Sequence, residues 1–437
     1  MTKLRIFTFL LTAAFVIGVG YFVSLIARGY RFDSQSLNLG PRGLFVVTSV
    51  PNGAQILVDG KLESATNATI SLHPGSYDIQ LKKDGYLPWQ KHITIEKEEV
   101  TKIDAYLFPA APSLSSLTFT GAVKPILSPD KTKIAYGVAA PSGVAANGLQ
   151  TDSDKVGIWI MDLADLPIGF SREPRKITDL DPLSLDWQWS PDSRQLLAKK
   201  DTNYYVLDIS SQTFLVSLVP LTSEKLSATL SKWQQDQEKK NDENMRDIPP
   251  KLAENLKNTA FHFSPDGNKV FYTASNDVTI PNGLISPLPG SSTQKEERSI
   301  KKGNTYVYDL KEDKNFLVYS GSVTPERDLI KEASLATASA ATTLATLRPA
   351  PKPAARGPQD LPSSSVLRWF PTSNHLILAE SNKITIMDYD GTNQQTVYAG
   401  PYAYPYAVPF PNSSRLLVLT NLGAGESVGN LYAISLK

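Results

Sequence analysis

One phrase recurs along the second half of the chain: an apolar strand, a proline-led polar turn, and a second apolar strand. It reads ILSPDKTKIAYG from Ile126, WQWSPDSRQLLA from Trp187 and FHFSPDGNKVFY from Phe261. Two eroded copies follow, RWFPTSNHLILA from Arg368 and VPFPNSSRLLVL from Val408. A lone hairpin is barely stable in water, so a repeated one requires equivalent units stacked side by side. The turn residues are the ones such a hairpin needs. Proline presets φ, Asp accepts local backbone amides, and glycine tolerates positive φ.

The N-terminus sets the compartment. Ile6 to Ala27 is an uncharged run of 22 residues, about 33 Å long as a helix and enough to cross a hydrocarbon core. Lys3 and Arg5 precede it while Arg28 and Arg31 follow, so flanking charge alone does not orient it. No second hydrophobic span follows, which places everything after Arg28 on one side. The expectation is a cytoplasmic tail and transmembrane anchor over residues 1–28, with the bulk of the chain extracytoplasmic at the cell membrane. A cleaved signal peptide is the rival reading; the length of the apolar run and the absence of an A-x-A site stand against it. The chain has no cysteine, which excludes disulfides, thiolate chemistry and lipid attachment at a lipobox cysteine. With 44 basic and 43 acidic residues, nothing in the charge balance points to a nucleic-acid partner.

Residues 41–108 read as a small all-β unit of six strands: LFVVTSV, QILVDG, ATISLH, SYDIQLKKDGY, KHITI and VTKIDAYLF. Each carries β-branched or aromatic residues at period two. Pro51-Asn52-Gly53, Asp59-Gly60, Pro74-Gly75 and Asp84-Gly85 mark the turns, and these residues are read as turn formers rather than as a site. The order Pro51-Asn52-Gly53-Ala54, then QILVDGK, then LHPGSYDIQLKKDGYLPW resembles the PEGA family. Asn52 stands where that family has an acid, and SATNATI lacks its usual Gly-x-Thr-Pro pattern. The resemblance implies an exported, envelope-associated β-sandwich, often beside a membrane span, and brings no catalytic residues with it.

Residues 114–437 carry the repeat. The turn prolines Pro129, Pro191, Pro265, Pro371 and Pro411 lie 62, 74, 106 and 40 residues apart. Four stretches read as insertions, at 138–155, 222–258, 276–303 and 321–365. Without them the spacings fall to 44, 37, 33 and 40, near the ~40–45 residues of a four-stranded propeller blade. A third strand is recognisable in each unit: GIWIMDL, NYYVLDI, NTYVYDL, KITIMDY and LYAISL. Four of these end on Asp162, Asp208, Asp309 and Asp388, with Ser435 in the fifth; each acid is expected to cap the turn into the fourth strand. Together these strands resemble TolB-type and WD-like β-propellers. The last unit stops at Lys437 after three strands, and the unassigned strand Leu114–Thr120 is placed to supply its fourth and close the ring. The count favours five blades, six being the alternative.

Strand alternation puts all four insertions on one face, expected to point away from the sandwich and to serve as the interaction surface. Thr222–Asn258 reads as a helical hairpin with its first helix from Ser223 to about Lys240, and Thr324-Pro325-Glu326 as a helix start. RPAPKPAARGP after it reads as a linker. Tyr402, Tyr404 and Tyr406 in GPYAYPYAVP are the candidate ligand-binding residues, as a stacking platform for sugar or peptide; the competing reading has them walling a seam between blades. Trp187 and Trp189 are read as inter-blade core. The four histidines, His73, His92, His262 and His375, are scattered, so no metal site or cofactor is expected, and there is no G-x-S-x-G elbow or P-loop. The resulting expectation is a non-enzymatic binding or scaffold protein. It is held in the membrane through residues 6–27 and presents its propeller to an envelope protein or polysaccharide. The alternative is a carbohydrate-active or peptidase-related enzyme with a site on the propeller.

Overall fold

The computed structural model describes residues 2–27, 30–32, 39–140, 153–165, 173–245, 248–250, 252–253, 261–286, 292, 294–325, 365–422 and 428–437. Contacts divide the chain into two units. The first comprises Met1–Ala110 with Ile285–Glu296 and Lys311–Asp313; the second comprises Ala111–Leu284, Glu297–Leu310 and Lys314–Lys437.

In the first unit, α1 spans Thr2–Ala27, and its stretch Arg5–Ala27 is long and apolar enough to cross a membrane. Its large side chains face outward on every side, Phe9, Phe15 and Ile17 each being about 70% exposed; that is the surface an apolar solvent requires. The β-sandwich follows as two sheets. One orders Ala68–Leu72, Gly43–Val50 and Val100–Tyr106, the last pair running parallel. The other orders Lys61–Ala65, Gln55–Val58, Gly75–Lys82 and Trp89–Ile95. Phe45, Val47, Ile56, Ile79, Leu81, Trp89 and Ile93 share one core, and Gly43–Val50 alternates buried and outward positions as one covered face demands. The sandwich has seven strands rather than six. Lys61–Ala65 (KLESA) is an edge strand whose side chains stay largely in water, so no apolar alternation announces it. Asp59 and Gly60 both take positive φ, 48° and 80°, the two-residue turn that joins it to Gln55–Val58.

Among the described residues the second unit contains six sheets, one of them the two-stranded pair Val278–Thr279 and Ser299–Ile300; the other five carry the repeated phrase. The first orders Val123–Leu127, Lys133–Val138, Gly157–Asp162 and Arg175–Thr178. The second has Asp186–Trp189, Gln195–Lys200 and Asn203–Asp208, and the third has Phe261–Phe263, Lys269–Thr273, Thr305–Asp309 and Lys314–Tyr319. The fourth has Val366–Trp369, His375–Glu380, Lys383–Asp388 and Gln395–Ala399. The fifth sheet takes its outer strand from the start of the unit: Leu114–Ser116 pairs antiparallel with Asn430–Ser435, ahead of Arg415–Thr420 and Ala407–Pro409. Packing follows the same circle. Ile134, Tyr136 and Met161 of the first sheet share a core with Phe410, Leu417 and Leu431 of the fifth. Ile158 and Ile160 share another with Trp187 and Leu196 of the second. Phe271 and Val307 of the third pack on Trp369 and Leu376 of the fourth. The first sheet is therefore covered on both faces, and in the fourth His375–Glu380 is buried along almost its whole length instead of alternating.

The repeated phrase builds the same lock three times. Ser128, Ser190 and Ser264 donate their hydroxyls to Asp130, Asp192 and Asp266 at 2.5–2.6 Å. Each serine oxygen also accepts the amide that opens the next strand, from Lys133, Gln195 and Lys269 at 2.9 Å. The Asp carboxylates accept the amides of Thr132, Arg194 and Asn268. The fourth turn position takes positive φ as Lys131, Ser193, Gly267, Ser373 and Ser413, so glycine there is a convenience rather than a requirement. Two serines instead bridge sheets: Ser193 Oγ accepts the Asp130 amide and Ser373 Oγ the Asp266 amide. Trp189 and Trp369 repeat the bridge, donating Nε1–H to the carbonyls of Ile126 and His262.

Three expectations are corrected. The insertions do not all stay clear of the sandwich: residues 285–296 of the third group with it, and Gln294 donates its side-chain amide to the His92 carbonyl. Strand polarity fixes where a loop leaves, but a 28-residue segment at up to ~3.3 Å per residue reaches far beyond its exit, and this one returns along the third sheet, Glu297 N bonding Asn315 O. Thr324–Pro325 does not begin a helix; it pairs parallel with Val366–Leu367. Helix α2 runs Ser223–Met245, one turn longer than read, while most of the second half of the expected hairpin lies outside the described residues. The linker RPAPKPAARGP and residues 141–152 lie outside them too.

The closure is testable by register. Ser435 N bonds Ser113 O and Leu117 N bonds Leu431 O, so antiparallel alternation turns the Ser115 amide toward Ala433 and the Ser116 amide away. Ser115→Pro should destabilise the chain by about 3 kcal/mol in urea unfolding while Ser116→Pro is tolerated; equal effects contradict the pairing. The turn locks make an acid-limb prediction. Burial by itself raises the carboxyls of Asp130, Asp192 and Asp266, but their serine and backbone donors outweigh it and hold all three below the ordinary value. Groups lowered on folding contribute stability above their unfolded pKa of about 3.9 and lose it as pH falls through the folded value. The triple change to Asn should flatten stability against pH below about 4, measured by denaturant melts across that range.

Candidate functional site

The strand-three acids are in register with the residue that opens strand two: Lys133 with Asp162, Gln195 with Asp208, Lys269 with Asp309 and His375 with Asp388. Asp208 does cap its turn, accepting the Ser210 amide at 2.7 Å. Asp309 instead faces Lys269 Nζ at 3.8 Å. Asp388 lies 3.5 Å from His375 Nε2 and accepts Asn393 Nδ2 at 3.0 Å. Asp388 thus joins its own turn, through Thr392 and Asn393, to its cross-strand neighbour.

The third and fourth sheets meet in the densest group of buried ionisable side chains. Lys269 is 8% exposed; its ammonium donates to Asn374 Oδ1 at 3.2 Å and stands 4.6 Å above the Tyr389 ring. His375 is 4% exposed, with Nδ1 2.7 Å from Thr372 Oγ1 and its ring edge-on to Phe370. A charge removed from water needs partners in return: Lys269 finds them on its own sheet in Asp309 and across the seam in Asn374 and Tyr389, while His375 and Asp388 pair within the fourth sheet. Thr372, His375 and Asp388 lie in a hydroxyl–imidazole–carboxylate line. The same three residues replace the serine–aspartate lock, which this turn lacks because Phe370 and Thr372 stand in its place.

The candidate tyrosines lie in the connection between the fourth and fifth sheets. Tyr402 is 8% exposed and donates its hydroxyl to the Glu380 carbonyl on the fourth sheet. Tyr404 is half-buried, and Tyr406 is half-buried against the core shared by the first and fifth sheets. The three rings do not form one exposed platform; Tyr402 and Tyr406 take the seam-wall positions. Burial pushes the Tyr402 and Tyr406 hydroxyls up, with the nearby Arg368 guanidinium opposing it. Arg368 is the residue sequence reading missed. It is 7% exposed and donates Nη1 to the carbonyls of Pro405 and Ala407 at 2.9 and 2.6 Å, pinning the tyrosine segment to the fourth sheet. Its signal was a lone cation inside the apolar run VLRWF.

His92 pairs with Asp78 at 2.7 Å on the exposed face of the sandwich, and His262 stacks on Phe271. Among the described residues no group of three His, Cys, Asp or Glu side chains is arranged to hold a metal ion. Tyr402→Phe should cost about 1–2 kcal/mol, because the Glu380 carbonyl loses its donor in a buried seam. A thermal melt unchanged by that substitution contradicts the wall position.

Residues 42–110 match the model of the PEGA domain. No curated protein matches the chain. Among solved structures, it is similar at 14% identity and a TM-score of 0.21 to TolB from Acinetobacter baumannii, covering 83% of this chain. It thus spans only 60% of that TolB chain. It is also similar to the Dos1 propeller at 12% identity and a TM-score of 0.25, covering 74% of this chain and 95% of the other. At likenesses this low the propeller reading rests on the sheet order and the inter-sheet cores of the chain itself. The molecule carries an N-terminal apolar helix, a PEGA domain over residues 42–110, and a β-propeller closed by its own first strand.

Proposed function

We propose that this chain is a membrane-tethered, outward-facing, non-enzymatic binding or scaffold protein that presents a β-propeller to an envelope protein or polysaccharide. The observation that carries the reading is α1, whose large apolar side chains are exposed along its length at the N-terminus of the first unit. A PEGA domain next to the helix fits an extracytoplasmic position. The buried ionisable groups favour a structural use, since Lys269 with Asp309 and His375 with Asp388 pair across strands and Lys269 also bonds Asn374 across the seam.

An enzymatic reading has one observation in its favour, the line from Thr372 through His375 to Asp388. Its imidazole is 4% exposed, so a substrate has no approach without opening the turn that this line holds shut. Activity toward peptide or glycan arrays that vanishes with Thr372→Val would reverse the choice.

Membrane fractionation tests the main reading. The full chain is expected to resist carbonate extraction, removal of residues 1–28 to release it, and protease added to intact spheroplasts to digest residues beyond Arg28. A mature N-terminus beginning after Ala27 would establish a cleaved signal in place of the anchor. Full protection from the protease would place the propeller on the other side.

A further inference from the structure

The five first strands are chemically alike except at one seam. Four residues ahead of Ser128, Ser190, Ser264, Phe370 and Phe410, which begin the turns, stand Lys124, Asp186, Ala260, Val366 and Tyr406. Ala260 lies outside the described residues. Val366 is fully buried and Tyr406 half-buried, whereas Lys124 and Asp186 are charged and partly exposed. One residue further on stand Pro125, Trp187, Phe261, Leu367 and Ala407, and of these side chains only the Trp187 indole carries a hydrogen-bond donor. A cation, an anion and an indole N–H thus replace apolar side chains together, where the first sheet meets the second.

The backbone is distorted at the same place. Lys124 takes a φ of 46° inside the strand Val123–Leu127, while the other non-glycine residues of positive φ among the described residues lie between strands. It also precedes Pro125, a position that sterics push toward extended backbone. The pairing with the second strand slips there, Val123 facing Gly137 and Ile126 facing Ala135, and such a bulge re-aims a side chain. Here it sends the Lys124 ammonium across the seam. Nζ donates to Leu185 O at 2.6 Å and to Asp186 Oδ1 at 3.0 Å, and lies 5.8 Å from the centre of the Trp187 ring. The seam is already tied by Ser193 and Trp189, so strain at Lys124 is not needed to hold the two sheets. The connection that carries Leu185 and Asp186 is clamped as well: a Cβ on Gly137 would come within 2.3 Å of Pro182 Cβ. Asp181 caps the turn Pro182–Ser184 through the Leu183 amide.

The Lys124 and Asp186 side chains remain 33% and 49% exposed, so the pair is open to solvent on one side. Trp187 is 9% exposed, and its Nε1–H has no hydrogen-bond partner among the described residues. Trp189, on the same face of the strand, does have one. A buried donor of this kind favours an arriving acceptor. The group is rich in donors yet carries no net charge. An anionic ligand would meet the Asp186 carboxylate and a cationic one the Lys124 ammonium, whereas a neutral hydroxyl accepts from the first and donates to the second. We propose that Lys124, Asp186 and Trp187 form a binding site for a sugar residue of an uncharged polysaccharide. One hydroxyl accepts from Lys124 Nζ and donates to Asp186, and a neighbouring sugar oxygen accepts the Trp187 N–H. The inference rests on the binding role proposed above and names its ligand class. Carbonate extraction and spheroplast proteolysis read the tether and its side, so a failure here is distinct from a failure there.

The probe is an array of neutral oligosaccharides of hexoses, pentoses and N-acetylhexosamines, with polygalacturonate and a peptide array alongside. The full chain is applied in a detergent whose head group is not a sugar. The expected result is binding of a neutral oligosaccharide. In solution that oligosaccharide shifts one of the six 5-fluorotryptophan resonances, the one that Trp187→Phe removes. Lys124→Met and Asp186→Asn each weaken binding about tenfold, the loss of one hydrogen bond to a charged group. Lys131→Met, which alters the positive-φ lysine of the neighbouring turn, leaves binding unchanged. Thermal melts show that each variant is folded, and if Lys124→Met is not, Asp186→Asn decides, since it keeps the shape of the side chain. No binding of any neutral oligosaccharide would overturn the proposal. So would a shift confined to another tryptophan, or binding that ignores both substitutions. Binding restricted to polygalacturonate or to peptides would give the group a different partner and overturn it too.

Discussion

The pairing of Leu114–Ser116 with Asn430–Ser435 is the constraint on which the propeller depends. A row of sheets packed face to face leaves an uncovered face at each end. Joining the first strand to the last sheet removes both at once, since the first sheet then meets the fifth as well as the second. The hydrogen bonds involved are few and individually modest. What they secure is the apolar contact between two end sheets, worth about 1.5–3 kcal/mol for each large side chain covered.

Within that circle the polar groups serve the seams. The Ser–Asp turns tie each hairpin to itself, and Ser193, Ser373, Trp189 and Trp369 tie one hairpin to the next. Where the lock erodes, the neighbours compensate. Phe370 and Thr372 replace the Ser–Asp pair of the fourth sheet, and His375 bonds Thr372 there. Arg368 holds the following connection through two carbonyls. A site assembled from these groups resembles a catalytic array in composition, but its members are consumed in holding sheets together.

Residues with a local reason were legible in advance. The Pro-Asp turns, the Asp59-Gly60 turn, the apolar helix and the borrowed outer strand each follow from short-range chemistry or from counting strands. Lys61–Ala65 was not legible, because an edge strand in water carries no alternation. Nor was the role of Tyr402, since a tyrosine in a connection looks the same whether its hydroxyl meets solvent or the Glu380 carbonyl. The cross-strand partner of Asp309 lies across the long connection from Thr273 to Thr305, and a connection of that length leaves register undetermined.

From its residues alone, then, the chain specifies an apolar helix, a small sandwich and a ring of equivalent sheets, because periodicity and turn chemistry act over a few positions and repeat. Only the tertiary structure decided where the third insertion runs, which charges pair across strands, and which side chains tie one sheet to the next. Those outcomes turn on contacts between residues tens to hundreds of positions apart, where nothing local distinguishes a strand that joins its own sheet from one that crosses to the next.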